Sequence, residues 1–452
     1  MAKKAASSSD PPVMSWQKLL SSERLRPLEH ANGARSAFIA DQDIIINSQP
    51  FRRLQDKTQV HPLSDNDHVR RRLTHSVEVA SIGRALGRHA AKNLLKGDNA
   101  LASQGVSQET FGDILYAACL AHDIGNPPFG HFGEDAIRTA FSRVIENPLC
   151  EALSEQQKFD LCYWEGNAHG FRVLNSLEKY ASTGGMRLTV ATLATFAKYP
   201  WSSVDSRHDK KKFGFFEPEE GDFGDVASRV GLLRHSDGGW CRHPLAFLVE
   251  AADDLAYAIG DLEDGLELNL VSFDEIEAIF KDLIRRREAT DRHLSARHRL
   301  EFLREDVVQI VVEDVAEKFV KQHRAILGGN LRQDLWPSSR FGTTIENAKK
   351  LTAKKIFQAP QKAGVEVASF EVLGTLIEKI STALLTLKRG GKRLREHTRL
   401  IEFTLGREQS WIAAQGDYEL LLTTADYVAG MTDSYATKVY RHITGIDFSV
   451  GR

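Results

Sequence analysis

Several large classes are closed to this sequence by what it does not contain. It has four cysteines in 452 residues, Cys119, Cys150, Cys162 and Cys241, and none stands in CxxC spacing. That excludes a disulfide framework and a zinc knuckle, and it reads as a chain of the reducing cytoplasm. No apolar run reaches the roughly 18 residues of a spanning helix, and the opening MAKKAASSSDPP has no apolar stretch of the signal-peptide kind. No membrane association is expected, and residues 1–15 are expected to form a disordered tail. Neither sign of charge dominates: 59 Lys+Arg against 61 Asp+Glu give a formal net charge of −2. No global field therefore advertises a polyanionic partner, and any site for one must be local. There is no GxxxxGK[ST] loop, which excludes a P-loop nucleotide site. The aromatic residues, 8% of the chain, are scattered rather than strung along a basic groove, which speaks against a dedicated single-stranded nucleic acid binder.

What is present is a hydrophobic content of 42%, enough to bury a large core, patterned mostly with helical rather than alternating periodicity. The expected class is mostly α, with one short hairpin allowed around Lys211-Lys212-Phe213-Gly214-Phe215-Phe216. Helices are predicted over His68–Leu95, stopped by Gly97, and over Phe111–His122, ended by the GNPPFG of Gly125–Gly130, with a new start near His131. Further helices are predicted over Asn167–Tyr180, Thr189–Lys198, His243–Asp264, Phe273–Arg286, Ser295–Leu327, Phe370–Leu387 and Tyr418–Tyr440. The expected organisation is a core over residues 16–270 with a helical C-terminal region, residues 271–452, packed on it.

Three separated segments offer metal ligands: His75 in RRLTHS, the pair His122-Asp123 in CLAHDIGNPPFGH, and Asp253 in EAADDLAY. Two imidazoles and two carboxylates suit Mn, Mg, Fe, Ni or Zn and leave coordination positions open for water and a phosphate oxygen. Adjacent residues diverge by about 100° inside a helix, so His122 and Asp123 can converge only at a helix's last turn. Each residue alone reads more simply as a buried histidine or a helix-end aspartate; the neighbours change that. His131 and Glu134 share a face at a helix start, where an anion is favoured, and form a pair able to handle a proton. The plainer reading of Glu134 is a complement to the helix dipole. Asp253, Tyr257 and Asp261 fall at i, i+4 and i+8, one polar stripe on a mostly apolar helix, and Asp254 is rotated away from it. Arg72, at i−3 from His75, can hold a phosphate bidentately. Arg70 and Arg71 point elsewhere and are expected to be structural or solvated. Arg52, Arg53, Lys198, Lys211 and Lys212 are further candidates, the lysine run reading equally as a solvated loop.

Taken in order, SAFIADQDIIINSQPFRRLQDKTQV, RRLTHSVEVA, HDIGNPPFGHFGE, EGNAHGFRVL, AKYPW with KKFGFF, EAADDLAYAIGDLEDG and YVAGMTDSYA resemble the dGTP triphosphohydrolase family of the HD superfamily. The resemblance runs from about Ser36 to Arg441. It implies a helical HD fold with additional C-terminal helices and hydrolysis of a dNTP, dGTP or a relative of it, to a deoxynucleoside and tripolyphosphate. It implies a divalent metal on His75, His122, Asp123 and Asp253, and catalytic roles for His131 and Glu134. Sugar and base contacts are implied from Gln59, Val60, Tyr257 and Asp261, and phosphate contacts from Arg72, Asn126 and Asn167. Homo-oligomerisation is implied as well, while an allosteric dNTP and weak single-stranded nucleic acid binding stay open. His169 stands where many relatives carry glutamine, and Ser434 where many carry arginine. Within Leu351–Gln361, where relatives place a basic phosphate ligand, Lys354 and Lys355 are the candidates. The other enzymatic reading is an HD nucleotidase or phosphodiesterase acting on a dNMP or a cyclic nucleotide. A nucleotide sensor is the non-enzymatic one.

Overall fold

The computed structural model describes residues 12–28, 36–59, 66–178, 184–205, 212–236, 238–357, 360–390 and 395–447. Eleven of its helices build the site and its support: α1 (Ala37–Ile46), α2 (Arg72–Gly97), α3 (Gln108–Ala121), α4 (Gly130–Val144), α5 (Gly166–Arg172), α6 (Ala246–Glu267), α7 (Ala296–Leu327), α8 (Gly342–Lys355), α9 (Pro360–Lys388), α10 (Asp417–Ala429) and α11 (Asp433–Thr444). Among the described residues there is no strand, only isolated bridges between Arg24 and Thr189, Thr58 and Arg71, and Arg234 and Trp240. The class is mostly α, as the periodicity indicates. No helix there is long and apolar enough to cross a membrane.

Two hydrophobic cores divide the work. The first packs α2 against α3, α6 and α7; the second packs α4 against α9, with α10 and α11 beyond. α2 and α3 lie so close at Gly87 that an added Cβ would fall 2.6 Å from Leu115 Cδ1 and 2.9 Å from the Phe111 carbonyl carbon. Only glycine permits that approach. The GNPPFG segment passes from one core to the other: Ile124 is buried in the first and Phe129 in the second. Residues 122–131 thereby pass from one core to the other, with the turn between them.

Among the described residues, 212–216, no hairpin forms. Phe215 is buried in the first core while Phe213 and Phe216 are buried in the second. The described part of the segment is fastened by Gly214 N–H to the Trp201 carbonyl at 3.0 Å and by Trp201 Nε1–H to the Lys212 carbonyl at 2.7 Å. Side chains drawn into different cores leave no continuous edge to pair. Several helices also end elsewhere than the periodicity suggests. α2 starts at Arg72, because Arg71 is extended and bridges Thr58. The segment expected as Asn167–Tyr180 is α5 followed by a π-helical turn, Val173–Leu177, with Tyr180 outside the described residues. Tyr418–Tyr440 is two helices, broken between Ala429 and Asp433. The Phe273 helix ends at Phe280, and α9 begins ten residues before Phe370. Of the expected disordered tail, residues 1–11 lie outside the described ones.

Candidate active site

α3 runs to Ala121, and His122 follows as its C-cap, still with helical dihedrals. The chain then turns, so both side chains of the His122-Asp123 pair converge: His122 Nε2 lies 3.5 Å from Asp123 Oδ1. His122 Nδ1 is 2.7 Å from the Cys119 carbonyl. A carbonyl only accepts, so Nδ1 carries a proton and it is Nε2 that faces Asp123 and Asp253. From α2, His75 brings Nε2 to 3.1 Å from Asp253 Oδ1 of α6, and the same Asp253 oxygen is 3.5 Å from His122 Nε2. Ligand atoms of His75, His122 and Asp123 all lie within 4.8 Å of one another.

This cluster fits a metal ion on grounds internal to the chain. His122 Nε2 and Asp123 Oδ2 are buried and have no hydrogen-bond partner, although unpartnered buried polar atoms are rare and costly. Burial by itself would lower the His122 pKa, but Asp123 and Asp253 outweigh it and carry it up to about 9. Burial would likewise raise Asp253, yet His122 and His75 hold it well below the usual carboxylate range. The two carboxylates thus draw positive charge to the point where the imidazoles face them, the charge a bound cation would supply. Asp254, one residue on, pairs instead with Lys349 of α8 at 2.7 Å.

Above the cluster lies a cavity of about 620 Å³, lined by Gln59, Arg72, His122, Asp123, Asn126, His131, Glu134, Asn167, Asp253, Tyr257 and Asp261 among others. The sequence candidates thus come together on one concave surface, except that Val60 lies outside the described residues and His75 sits behind the wall, its ring 4.8 Å from that of Tyr257. Arg72 is buried and donates to Asp123 Oδ1 at 2.8 Å. Both amide atoms of Gln59 are buried without a partner. The His131 side chain is 78% exposed and its Nδ1 lies 3.4 Å from Glu134 Oε2. Glu134 is buried, which would raise its pKa, but His131, Lys212 and Arg138 hold it far below the usual range, and it accepts from Gly166 N–H at 3.0 Å.

Other residues the sequence did not single out. Glu165 is fully buried and accepts from Lys212 Nζ at 2.8 Å, Arg138 at 3.1 Å and the Asn167 amide at 2.6 Å, so it orients two groups on the cavity wall. α8 presents Lys349, Thr352, Ala353 and, just past its end, Phe357 to the cavity. Lys354 and Lys355 do not line the cavity, Lys355 pairing with Glu275 at 3.1 Å, and the lysine that α8 brings to the cavity wall is Lys349. Lys198 and Lys212 line the cavity, Lys211 is outside the described residues, and Arg52 and Arg53 are exposed away from it. Arg70 is held by Glu78, Glu263 and Asp264. His169 is buried beside the Gly125 carbonyl at 2.9 Å, and Ser434 donates to Asp56 at 3.1 Å; neither reaches the cavity.

A family model described as the HD domain matches residues 72–165, the span from Arg72 to Glu165. A deoxyguanosinetriphosphate triphosphohydrolase-like protein of Synechocystis sp. is 41% identical over 451 residues, covering 96% of this chain and all of its own. A protein of the same description from Pseudomonas aeruginosa is 40% identical over 448 residues, with 96% and 99% covered. A deoxyguanosinetriphosphate triphosphohydrolase of Yersinia pestis is 29% identical over 489 residues, with 90% and 93% covered. With the HD match falling on the segment that carries His75, His122, Asp123 and Glu134, and with full-length similarity at that level, the chain belongs to the deoxyguanosinetriphosphate triphosphohydrolase-like family of HD-domain proteins.

Proposed function

We propose that this protein is an enzyme that hydrolyses a deoxynucleoside triphosphate at the α-phosphorus, releasing the deoxynucleoside and tripolyphosphate. The observation that carries the reading is the content of the cavity above the His–Asp cluster. Partnerless His122 Nε2 and Asp123 Oδ2 lie beneath it, the partnerless Gln59 amide borders it, and four cations, Arg72, Lys198, Lys212 and Lys349, surround it. Its volume of about 620 Å³ falls within the roughly 300–1,000 Å³ of small-molecule sites. Six carboxylates line it too: Asp123, Glu134, Glu250, Asp253, Asp254 and Asp261. A triphosphate entering such a site needs added positive charge, which a divalent cation provides.

His75, His122, Asp123 and Asp253 would hold that ion, one of Mn, Mg, Fe, Ni or Zn. Such an ion would supply Lewis-acid chemistry, polarising a phosphoryl oxygen and lowering the pKa of water from ~16 toward ~7. The chain's own residues do the rest. Arg72 and the three lysines hold the triphosphate so that its α-phosphorus, not the γ, faces the cluster, with Asn126 and Asn167 completing its contacts. Gln59 and Asp261 bind the sugar and base, and the Tyr257 ring crowds a 2′-hydroxyl, favouring dNTP over NTP. Water adds to the α-phosphorus, the bond to the 5′-oxygen breaks, and His131, its charge supported by Glu134, gives that oxygen its proton. In this scheme residues 16–270 carry the chemistry and 271–452 supply the α8 wall.

The test is to incubate the purified protein and Mn²⁺ with each dNTP and NTP, singly and in pairs, and separate the products. Tripolyphosphate from dNTPs alone is the expected result. Orthophosphate, or turnover of dNMPs or cyclic nucleotides instead, would replace this reading with that of a nucleotidase or phosphodiesterase.

A further inference from the structure

Of the family-like segments, YVAGMTDSYA is the one with no residue on the cavity wall. Its Asp433 opens α11 and is buried. One carboxylate oxygen accepts from the Phe129 N–H at 3.0 Å; the other accepts from the Thr58 N–H at 3.0 Å and from the Thr58 hydroxyl. Beside it, Lys57 donates from Nζ to the carbonyls of Asn126 at 2.6 Å and Ala429 at 2.8 Å. Three distant stretches, residues 57–58, 126–129 and 429–433, are clasped together at the edge of the cavity.

The clasp closes on an unusual piece of backbone. Phe129 has φ 62°, and is one of three non-glycine residues with positive φ among those described. A side chain accepts that conformation only where its surroundings impose it. Gly130 follows, also at φ 62°, and His131 is the second residue of α4. The direction in which His131 leaves the turn is therefore set by the left-handed pair that Asp433 grips. His131 itself is mostly exposed, with only the 3.4 Å contact from Nδ1 to Glu134 Oε2 to steady its ring.

We propose that Asp433 is a positioning residue for His131: by holding the Phe129 amide it fixes where the imidazole stands over the cavity, and it ties the C-terminal helix α11 to leaving-group protonation. This rests on the role given to His131 above. A carboxylate that merely filled space or capped α11 would not need its oxygens divided between two distant stretches of chain.

The test uses the intact protein with Asp433→Asn, which is nearly isosteric but exchanges one acceptor for a donor. On a dNTP, kcat should fall by ~10²-fold with KM nearly unchanged, the scale expected when a reacting group is misplaced by about an ångström. On an analogue whose α-phosphate leaving group is an acidic phenol, which needs no proton, most of the rate should return. The double variant His131→Ala/Asp433→Asn should be no slower than His131→Ala alone, since the two changes remove one function. Amide exchange over residues 126–134 should quicken. Equal slowing on both substrates, multiplying effects in the double variant, or unchanged exchange would each overturn the proposal. If Asp433→Asn does not fold, Asp433→Glu, which keeps both oxygens but displaces them, takes the same measurements. Failure of the unmodified protein to release tripolyphosphate from any dNTP would instead defeat the functional reading, a separate outcome.

Discussion

Removing Arg72 should weaken the fold and the chemistry together, and the two losses respond differently to metal. The guanidinium is buried at the first turn of α2, 2.8 Å from Asp123 Oδ1, and it is the only Lys or Arg paired with that carboxylate among the described residues. Burial pushes the Asp123 pKa up, and Arg72, ahead of His122 and His75, brings it below the usual range. Arg72→Ala leaves a buried carboxylate facing two imidazoles with no guanidinium, and breaking a buried pair in this way costs about 3–5 kcal/mol. With metal chelated, the unfolding free energy from urea melts should drop by that full amount; with saturating Mn²⁺, the ion re-compensates Asp123 and the drop should shrink. Turnover should not recover with it. A phosphate contact made more strongly in the transition state is gone, so KM should rise and kcat fall, with kcat/KM down by about one to two orders of magnitude for a charged hydrogen bond of ~1.5–3 kcal/mol. A stability loss below ~1 kcal/mol without metal, or kinetics like those of the unaltered protein, would mean that Arg72 neither offsets the Asp123 charge nor touches phosphate.

Asp123→Asn should lose bound metal and turnover together, because an amide is a far poorer ligand than a carboxylate; metal content by elemental analysis alongside rate checks it, and retention of both would contradict it. Gly125→Ala should destabilise the protein and abolish activity, since the new Cβ would lie 2.0 Å from the Gly166 carbonyl oxygen and 2.1 Å from the Gly170 nitrogen, both backbone atoms that cannot swing aside. An unchanged melting temperature there would mean the loop is looser than described. Burial raises Asp160 to about 6 against an ordinary 3.8, so the folded state holds a proton that the unfolded chain releases earlier. Its contribution is fully present below pH 3.8 and is lost as pH rises through about 6. Asp160→Asn should make the downward slope shallower in a series of urea midpoints taken between pH 4 and 6.5, Asp264 and Glu219 being raised in the same way, and an identical slope in both proteins would refute it.

Much of the site was legible because metal chemistry and turn geometry each demand particular residue types at particular places. His122-Asp123 at a helix end, followed by GNPPFG, gives both the candidate ligands and the turn that lets them converge, and the i, i+4, i+8 stripe of Asp253, Tyr257 and Asp261 gives the face of α6 that looks inward. Residues that act on other residues carry no such signature. Glu165 was invisible because its partners, Lys212, Arg138 and Asn167, meet only in three dimensions. Lys349 was hidden by a lysine-rich stretch in which several registers look alike until α8 fixes one face toward Asp254. Periodicity failed at helix ends for a related reason. Arg71 is pulled out of α2 by its bridge to Thr58, and the Ala429–Asp433 break is stabilised by Lys57 and Asp433 reaching across to the GNPPFG turn, interactions with no local trace.

The most direct measurement of the central claim is to run the reaction in ¹⁸O-enriched water and weigh both products. Attack of water on the α-phosphorus with cleavage to the 5′-oxygen places one heavy atom in a terminal phosphate of tripolyphosphate and none in the deoxynucleoside. Label in the deoxynucleoside would mean that the carbon–oxygen bond breaks, and label in orthophosphate would mean that the γ-phosphate is the target; either would contradict the geometry assigned to Arg72, the cavity lysines and His131.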